Sequence, residues 1–105
     1  MSLWEERAAR NEAMFREVNE SVRGVSDPEA SAEFVCECSR EDCLAHIALT
    51  LEGYERVRAD ARAFLVVPGH EDNATERAVG GGDGYLIVEK TGTAGRIADR
   101  TDPRS

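Results

Sequence analysis

A chain of 105 residues with 21 acidic and 13 basic side chains, net charge −8, is sized for one domain with a modest core, and its surface repels phosphate backbones. Charge is not segregated: acidic against basic residues number 5 to 4 in 1–23, 9 to 4 in 24–63 and 7 to 5 in 64–105, so no segment offers a basic face to nucleic acid. Hydrophobic residues make up 41 %, enough to fold, yet no apolar run nears the ~20 residues of a membrane helix and no leader pattern precedes Glu5, so a cytoplasmic protein with reduced thiols is expected.

Residues 3–23 read as a long amphipathic helix. Ser2 is the expected N-cap, with Glu5 at the capping-box position and Glu6 favouring the positive helix end. Apolar or small residues recur at Trp4, Ala8, Phe15, Val18 and Val22; Met14 widens that stripe, Asn11 interrupts it and Gly24 ends the helix. Such a stripe suits packing on the rest of the domain. It equally suits docking of a protein partner or self-association, with Asn11 then setting register. The expected organisation is a helix in 1–24, a linker in 25–32 built from turn formers, an α+β domain in 33–100 and a disordered tail in 101–105.

Within that domain, 33–38 and 43–49 read as two strands joined by Ser39-Arg40-Glu41-Asp42. Thr50 caps a short helix, 51–59, with Leu51, Tyr54 and Val57 inward and Gly53 weakening it. A strand follows at 63–67 and ends at Pro68-Gly69. A short helix is expected at 73–79, with Asn73 and Glu76 as its capping box, then a loop over Gly80–Gly84. Residues 85–90 form the clearest strand, and a helical turn lies near 94–98. The fold class is α+β: a long N-terminal helix, then a small, mainly antiparallel sheet with short helices, stapled by metal.

All three cysteines fall in Phe34-Val-Cys-Glu-Cys-Ser-Arg-Glu-Asp-Cys43, at positions 36, 38 and 43. Three thiols cannot all pair within one chain, which argues against a disulfide scaffold. Along a strand Cys36 and Cys38 share a face, and Cys43 returning across the turn joins them. Three thiolates and one imidazole make a usual structural zinc set, held at about 2.3 Å from sulfur to metal. Two histidines compete for the fourth position. Strand alternation turns His46 away from the Cys43 face unless 43–46 forms a helical turn; His70, just after a strand end, sits where a loop can aim it inward, and is favoured.

The competing readings are a buried apolar thiol cluster and a thiol redox switch in Cys36, Cys38 and Cys43. Acidic neighbours Glu37, Glu41 and Asp42 argue against a reactive thiolate, whereas Zn2+ brings its own charge. Four protein ligands leave no open position for a metal-bound water, and no nucleophile–base pair stands out, so a non-enzymatic interaction or regulatory protein is expected. Glu71 beside His70 reads as a supporting or solvated residue, and Asp83 as a turn residue. An acidic middle containing Glu33, Glu37, Glu41 and Asp42 suits a basic partner, or mimicry of nucleic acid.

At Phe34-Val-Cys-Glu-Cys…Cys43, Leu49-Thr-Leu-Glu-Gly-Tyr-Glu-Arg-Val-Arg58, Phe64-Leu-Val-Val-Pro-Gly-His-Glu71 and Gly84-Tyr-Leu-Ile-Val-Glu-Lys90, the chain resembles a group of small, acidic, uncharacterised actinobacterial proteins with a CxC-x4-C … PGHE pattern. Arg7-Ala-Ala-Arg-Asn-Glu-Ala-Met-Phe-Arg-Glu-Val-Asn-Glu20 extends the similarity over nearly the whole chain. The resemblance implies that Cys36, Cys38, Cys43 and His70 form one set, and it implies no activity.

Overall fold

The computed structural model describes residues 3–27, 29–40 and 42–104, with Leu3, Trp4 and Glu5 described by their backbone. The expectations placed on Ser2, on the side chains of Trp4 and Glu5, on Pro28 in the linker and on Glu41 lie outside those residues. The chain runs α1 (Leu3–Val25), β1 (Ser31–Val35), β2 (His46–Thr50), α2 (Leu51–Arg58), β3 (Ala63–Val66), β4 (Glu76–Gly82), β5 (Tyr85–Lys90) and α3 (Gly92–Arg100). It is an α+β fold with two small antiparallel sheets, β1-β2 and β3-β5-β4, where the sequence suggested one.

Glu37 explains the division. Its N–H donates to Leu65 O (2.7 Å), but the N–H of Leu65 donates to Glu37 Oε1 (3.0 Å). A carboxylate stands where a strand's backbone carbonyl would be, so the ladder stops after one main-chain bond.

In β1-β2 the alternation is clean, with Phe34 opposite Ile47 and Ala32 opposite Leu49. Phe34, Ile47 and Leu49 are buried, and His46, Ala48 and Thr50 are exposed. α2 lies on this sheet, with the Tyr54 and Phe34 rings stacked at 4.4 Å. Thr50 Oγ1 accepts from Gly53 N–H at 3.1 Å, the cap expected from the sequence. Gly53 has a packing reason: a Cβ there would lie 2.9 Å from Leu49 Cδ1. β3 is buried throughout its length and pairs with the central β5.

Residues 76–82 form a strand rather than the end of the expected 73–79 helix. Asp72 starts a single turn, its backbone O accepting from Thr75 and Glu76 N–H and its Oδ1 from Ala74 N–H (3.0 Å). That turn is not continued, because Arg77 pairs with Glu89 across β5, joined by a 2.9 Å ion pair. Tertiary pairing overrides the local helical signal. Gly80–Gly82, expected as a loop, continue the ladder against Tyr85–Ile87, and the chain reverses through Asp83 and Gly84, whose φ of +80° suits glycine.

The face by which α1 docks also differs from the expected apolar stripe. Met14 and Val18 are exposed (51 % and 40 %), while Asn11, Glu12, Arg16 and Asn19 are buried. Each of those polar groups finds a partner on the domain: Asn19 bonds both N–H and C=O of Val35, and Arg16 donates to Ala61 O and Ala98 O. Beyond α3, which is longer than the expected 94–98 turn, Asp102 pairs with Arg58 and Arg16, and Arg104 with Glu20 and Glu55. Among the described residues, no helix is long and apolar enough to cross a membrane.

Candidate metal centre

The strands around the cysteines are shorter than the expected 33–38 and 43–49. β1 ends at Val35 and β2 begins at His46, so all three cysteines lie on the connection between them. One bond, Cys36 N–H to Ala45 O (3.1 Å), closes its base. Strand alternation therefore does not position the thiols. The connecting segment does, held at its base by that bond and at Cys36, whose Sγ accepts from Val67 N–H at 3.3 Å at the end of β3. A backbone donor on sulfur favours its negative charge, and the neighbouring backbone N–H groups of Arg40 and Ala45 act in the same direction on Cys38 and Cys43.

The turn after β3 supplies the fourth residue. His70 N–H donates to Val67 O (3.0 Å), Gly69 adopts φ +95°, and Arg40 ties the two loops by donating to Gly69 O at 3.1 Å. His70 Nδ1 then stands 3.5 Å from Cys43 Sγ and 3.7 Å from Cys36 Sγ. The ligand atoms of Cys36, Cys38, Cys43 and His70 all lie within 4.8 Å of one another. A tetrahedral metal with about 2.3 Å bonds to sulfur and 2.0–2.1 Å to nitrogen sets S···N edges of roughly 3.5 Å and S···S edges of roughly 3.8 Å. The observed separations need little closure to reach that shape.

His46 is elsewhere. It is exposed on β2, 3.4 Å from the Glu33 carboxylate, as strand alternation suggested, and 43–46 forms no helical turn. Glu71 accepts from Gly69 N–H (2.6 Å) and so supports the turn that carries His70.

Cys36 and Cys38 are buried, Cys43 is half-buried, and all three are free thiols. The Cys36 thiol, donating to Cys38 sulfur, pulls Cys38 down to about 5. The same bond, with burial, pushes Cys36 far above the usual thiol range, and burial raises Cys43. The three form one titrating set, whose proton losses belong to the group as a whole. The acidic neighbours invoked from the sequence are not what governs them. Glu37 is wholly buried and turned toward Asn19 Nδ2 (2.7 Å) and Leu65 N–H, away from a surface patch, and burial raises its own pKa.

Two supporting residues escaped the sequence reading. Asn11 donates to Cys38 O (3.3 Å) and Asn19 holds both Val35 and Glu37, so α1 braces the chain on either side of Cys36. Their only signal is polarity at i and i+8 on one helix face; Asn11 reads as an interruption of the apolar stripe, and Asn19 is not singled out. No protein-family model matches the chain, and no curated protein or solved structure is significantly similar to it.

Proposed function

We propose that this is a non-enzymatic, zinc-binding interaction or regulatory protein of the cytoplasm, in which Cys36, Cys38, Cys43 and His70 hold a structural Zn2+. The observation that carries the reading is the convergence of three sulfurs and one imidazole nitrogen within 4.8 Å, with Cys36 Sγ accepting from Val67 N–H. A soft, thiolate-rich tetrahedral set favours zinc over harder cations. Four protein ligands close the coordination shell, which suits structure and leaves no place for an activated water.

The interaction surface rests on α1, whose inward face is polar and whose Met14, Val18 and Val25 stay exposed at 51 %, 40 % and 88 %. That unburied apolar edge is a place for a protein partner or a second copy. The acidic-patch idea is weakened by the burial of Glu37.

One observation favours a second reading, a zinc-linked thiol switch. Three free thiols stand close together with Cys43 half-buried, an arrangement that oxidants can convert to a disulfide once metal leaves. Native mass spectrometry of protein purified without added metal separates the two. A single zinc per chain with slow reaction toward peroxide supports the structural site. Protein lacking zinc and lighter by two protons overturns it in favour of the switch.

A further inference from the structure

Away from the thiols, a lysine lies between two glutamates where α1 meets the β4–β5 ladder. Lys90 stands opposite Glu76 in that ladder, and its Nζ donates to Glu12 Oε2 at 2.5 Å and to Glu76 Oε2. The side chains of Lys90, Glu12 and Glu76 are 5 %, 7 % and 2 % exposed. The buried Phe64 ring has its centroid 5.3 Å from Nζ. Glu76 is held by its other oxygen, which accepts from Asp72 N–H at 2.7 Å. The trio is an ion cluster with one carboxylate too many for its ammonium. It also holds the parts of an acyl transfer: an amine, a carboxyl carbon and a second carboxylate placed to carry a proton.

From this we propose that Lys90 and Glu12 condense into a side-chain amide that ties β5 to α1, with Glu76 as the proton carrier. An oxygen 2.5 Å from Nζ keeps the Glu12 Cδ bonded to it within roughly 3.8 Å, close to the ~3–3.5 Å of reacting pairs. Burial lifts Glu12 to about 7, so near neutrality the cluster rests as ammonium, carboxylic acid and carboxylate. Glu76 takes one proton from the ammonium, and the freed Nζ lone pair bonds to Glu12 Cδ. The nitrogen then passes a second proton to the Glu12 hydroxyl, the Cδ–O bond breaks with its electron pair and water leaves. The first proton stays on Glu76, and no outside reagent is consumed. A cavity of about 290 Å3 borders both Glu12 and Lys90 and can receive the released water.

The fold favours this step in two ways. It holds the partners, 78 positions apart in the chain, in contact, which supplies a high effective concentration. It also ends with an amide and a neutral acid where three ionisable groups were buried, and so removes the cost of desolvating charge. Until the bond forms, Glu12 and Lys90 titrate as an ordinary ion cluster.

The test is intact mass spectrometry of the full chain under denaturing conditions, on freshly refolded protein and after days at neutral pH. The aged wild type is expected to lose the mass of one water. After trypsin, peptides 11–16 and 78–96 should appear as one branched product, because an acylated Lys90 is no longer cleaved. Lys90→Arg keeps a cation for both glutamates and should retain full mass. Glu76→Gln should slow the condensation by at least about 100-fold. Folded wild type that keeps its full mass overturns the proposal. So does a water loss that persists in Lys90→Arg or maps to Asp83-Gly84 without a branched product. A product joining 63–77 to 78–96 would overturn the choice of Glu12, and an unchanged rate in Glu76→Gln would overturn the proton carrier.

Discussion

His70 reaches the thiols with Nδ1, the ring nitrogen nearer the backbone, because the Val67–His70 turn brings its main chain close to Cys36 and Cys43. Removing that nitrogen removes a ligand, so His70→Ala should weaken zinc binding by more than the roughly 10–100-fold lost when an outer supporting group is removed. His46→Ala should leave affinity unchanged, and competition with a chromogenic chelator reads both. Glu12 gives a second prediction. Burial outweighs the pull of Lys90 and lifts its pKa from 4.5 to about 7. The partner moves the other way in effect: burial alone would lower Lys90, but Glu12 and Glu76 hold it above its usual range. With two carboxylates on one ammonium, Lys90 stays charged and the extra proton belongs to a carboxyl. A carboxyl that binds its proton more tightly when folded stabilises the fold below pH 4.5 and loses that contribution as pH rises through 7. Urea unfolding should therefore show the stability of wild type, relative to Glu12→Gln, falling by up to about 3 kcal/mol between pH 4.5 and 8. A constant difference across that range would show that Glu12 is not the group responsible.

At the scale of elements, α1 is attached by hydrogen bonds where an apolar seam was expected. Arg16 is wholly buried, lies 4.3 Å over the Phe64 ring, donates to Ala61 O and Ala98 O and pairs with Asp102. One guanidinium thus joins α1 to the turn before β3, to α3 and to the C-terminal residues. Arg16→Ala leaves two carbonyls and a carboxylate short of a donor, and should cost about 3–5 kcal/mol by denaturant unfolding. Val18→Ala, on the stripe that sequence favoured, should change stability by no more than ~0.5 kcal/mol. The reverse ranking would return the docking face to the apolar stripe. By contrast α2, β3 and β5 lie within a residue of their expected limits. Their signals are local: Thr50 with Leu51, Tyr54 and Val57 for α2, a run of buried apolar residues for β3, and Gly84 before Tyr85-Leu-Ile-Val for β5.

For the whole molecule, the proposed zinc joins two loops distant in sequence, 36–45 and 67–70, that otherwise meet through few bonds, among them Arg40 to Gly69 O and Val67 N–H to Cys36 sulfur. Because the four side chains converge only in the folded chain, a metal held there would contribute directly to folding. Chelation by excess EDTA should lower the melting temperature and accelerate amide exchange first in 36–45 and 67–71. The β4–β5 hairpin, held by its own ladder and the Arg77–Glu89 pair, should keep its protection longer. A melting curve unmoved by the chelator would remove the structural role of the metal.

The sequence by itself determined the chemistry of the candidate site and the elements whose cause is local. Three thiols within eight residues, together with a histidine after Pro68-Gly69, name a ligand set whatever the backbone does between them. Alternation within β2 was enough to turn His46 outward. Only the tertiary structure decided how the thiols are aimed, because they lie on the connection between β1 and β2, where no strand alternation or hydrophobic period runs. It also decided the polar face of α1, the strand at 76–82 and the place of Glu37. For α1 and Glu37 a buried hydrogen-bonding group meets a partner far along the chain, Arg16 with Ala98 and Glu37 with Leu65, and at 76–82 the ladder to β5 decides. Hydrophobic patterning records which residues avoid water. It does not record which buried polar group will be satisfied by a distant backbone, and that pairing is what sets this architecture.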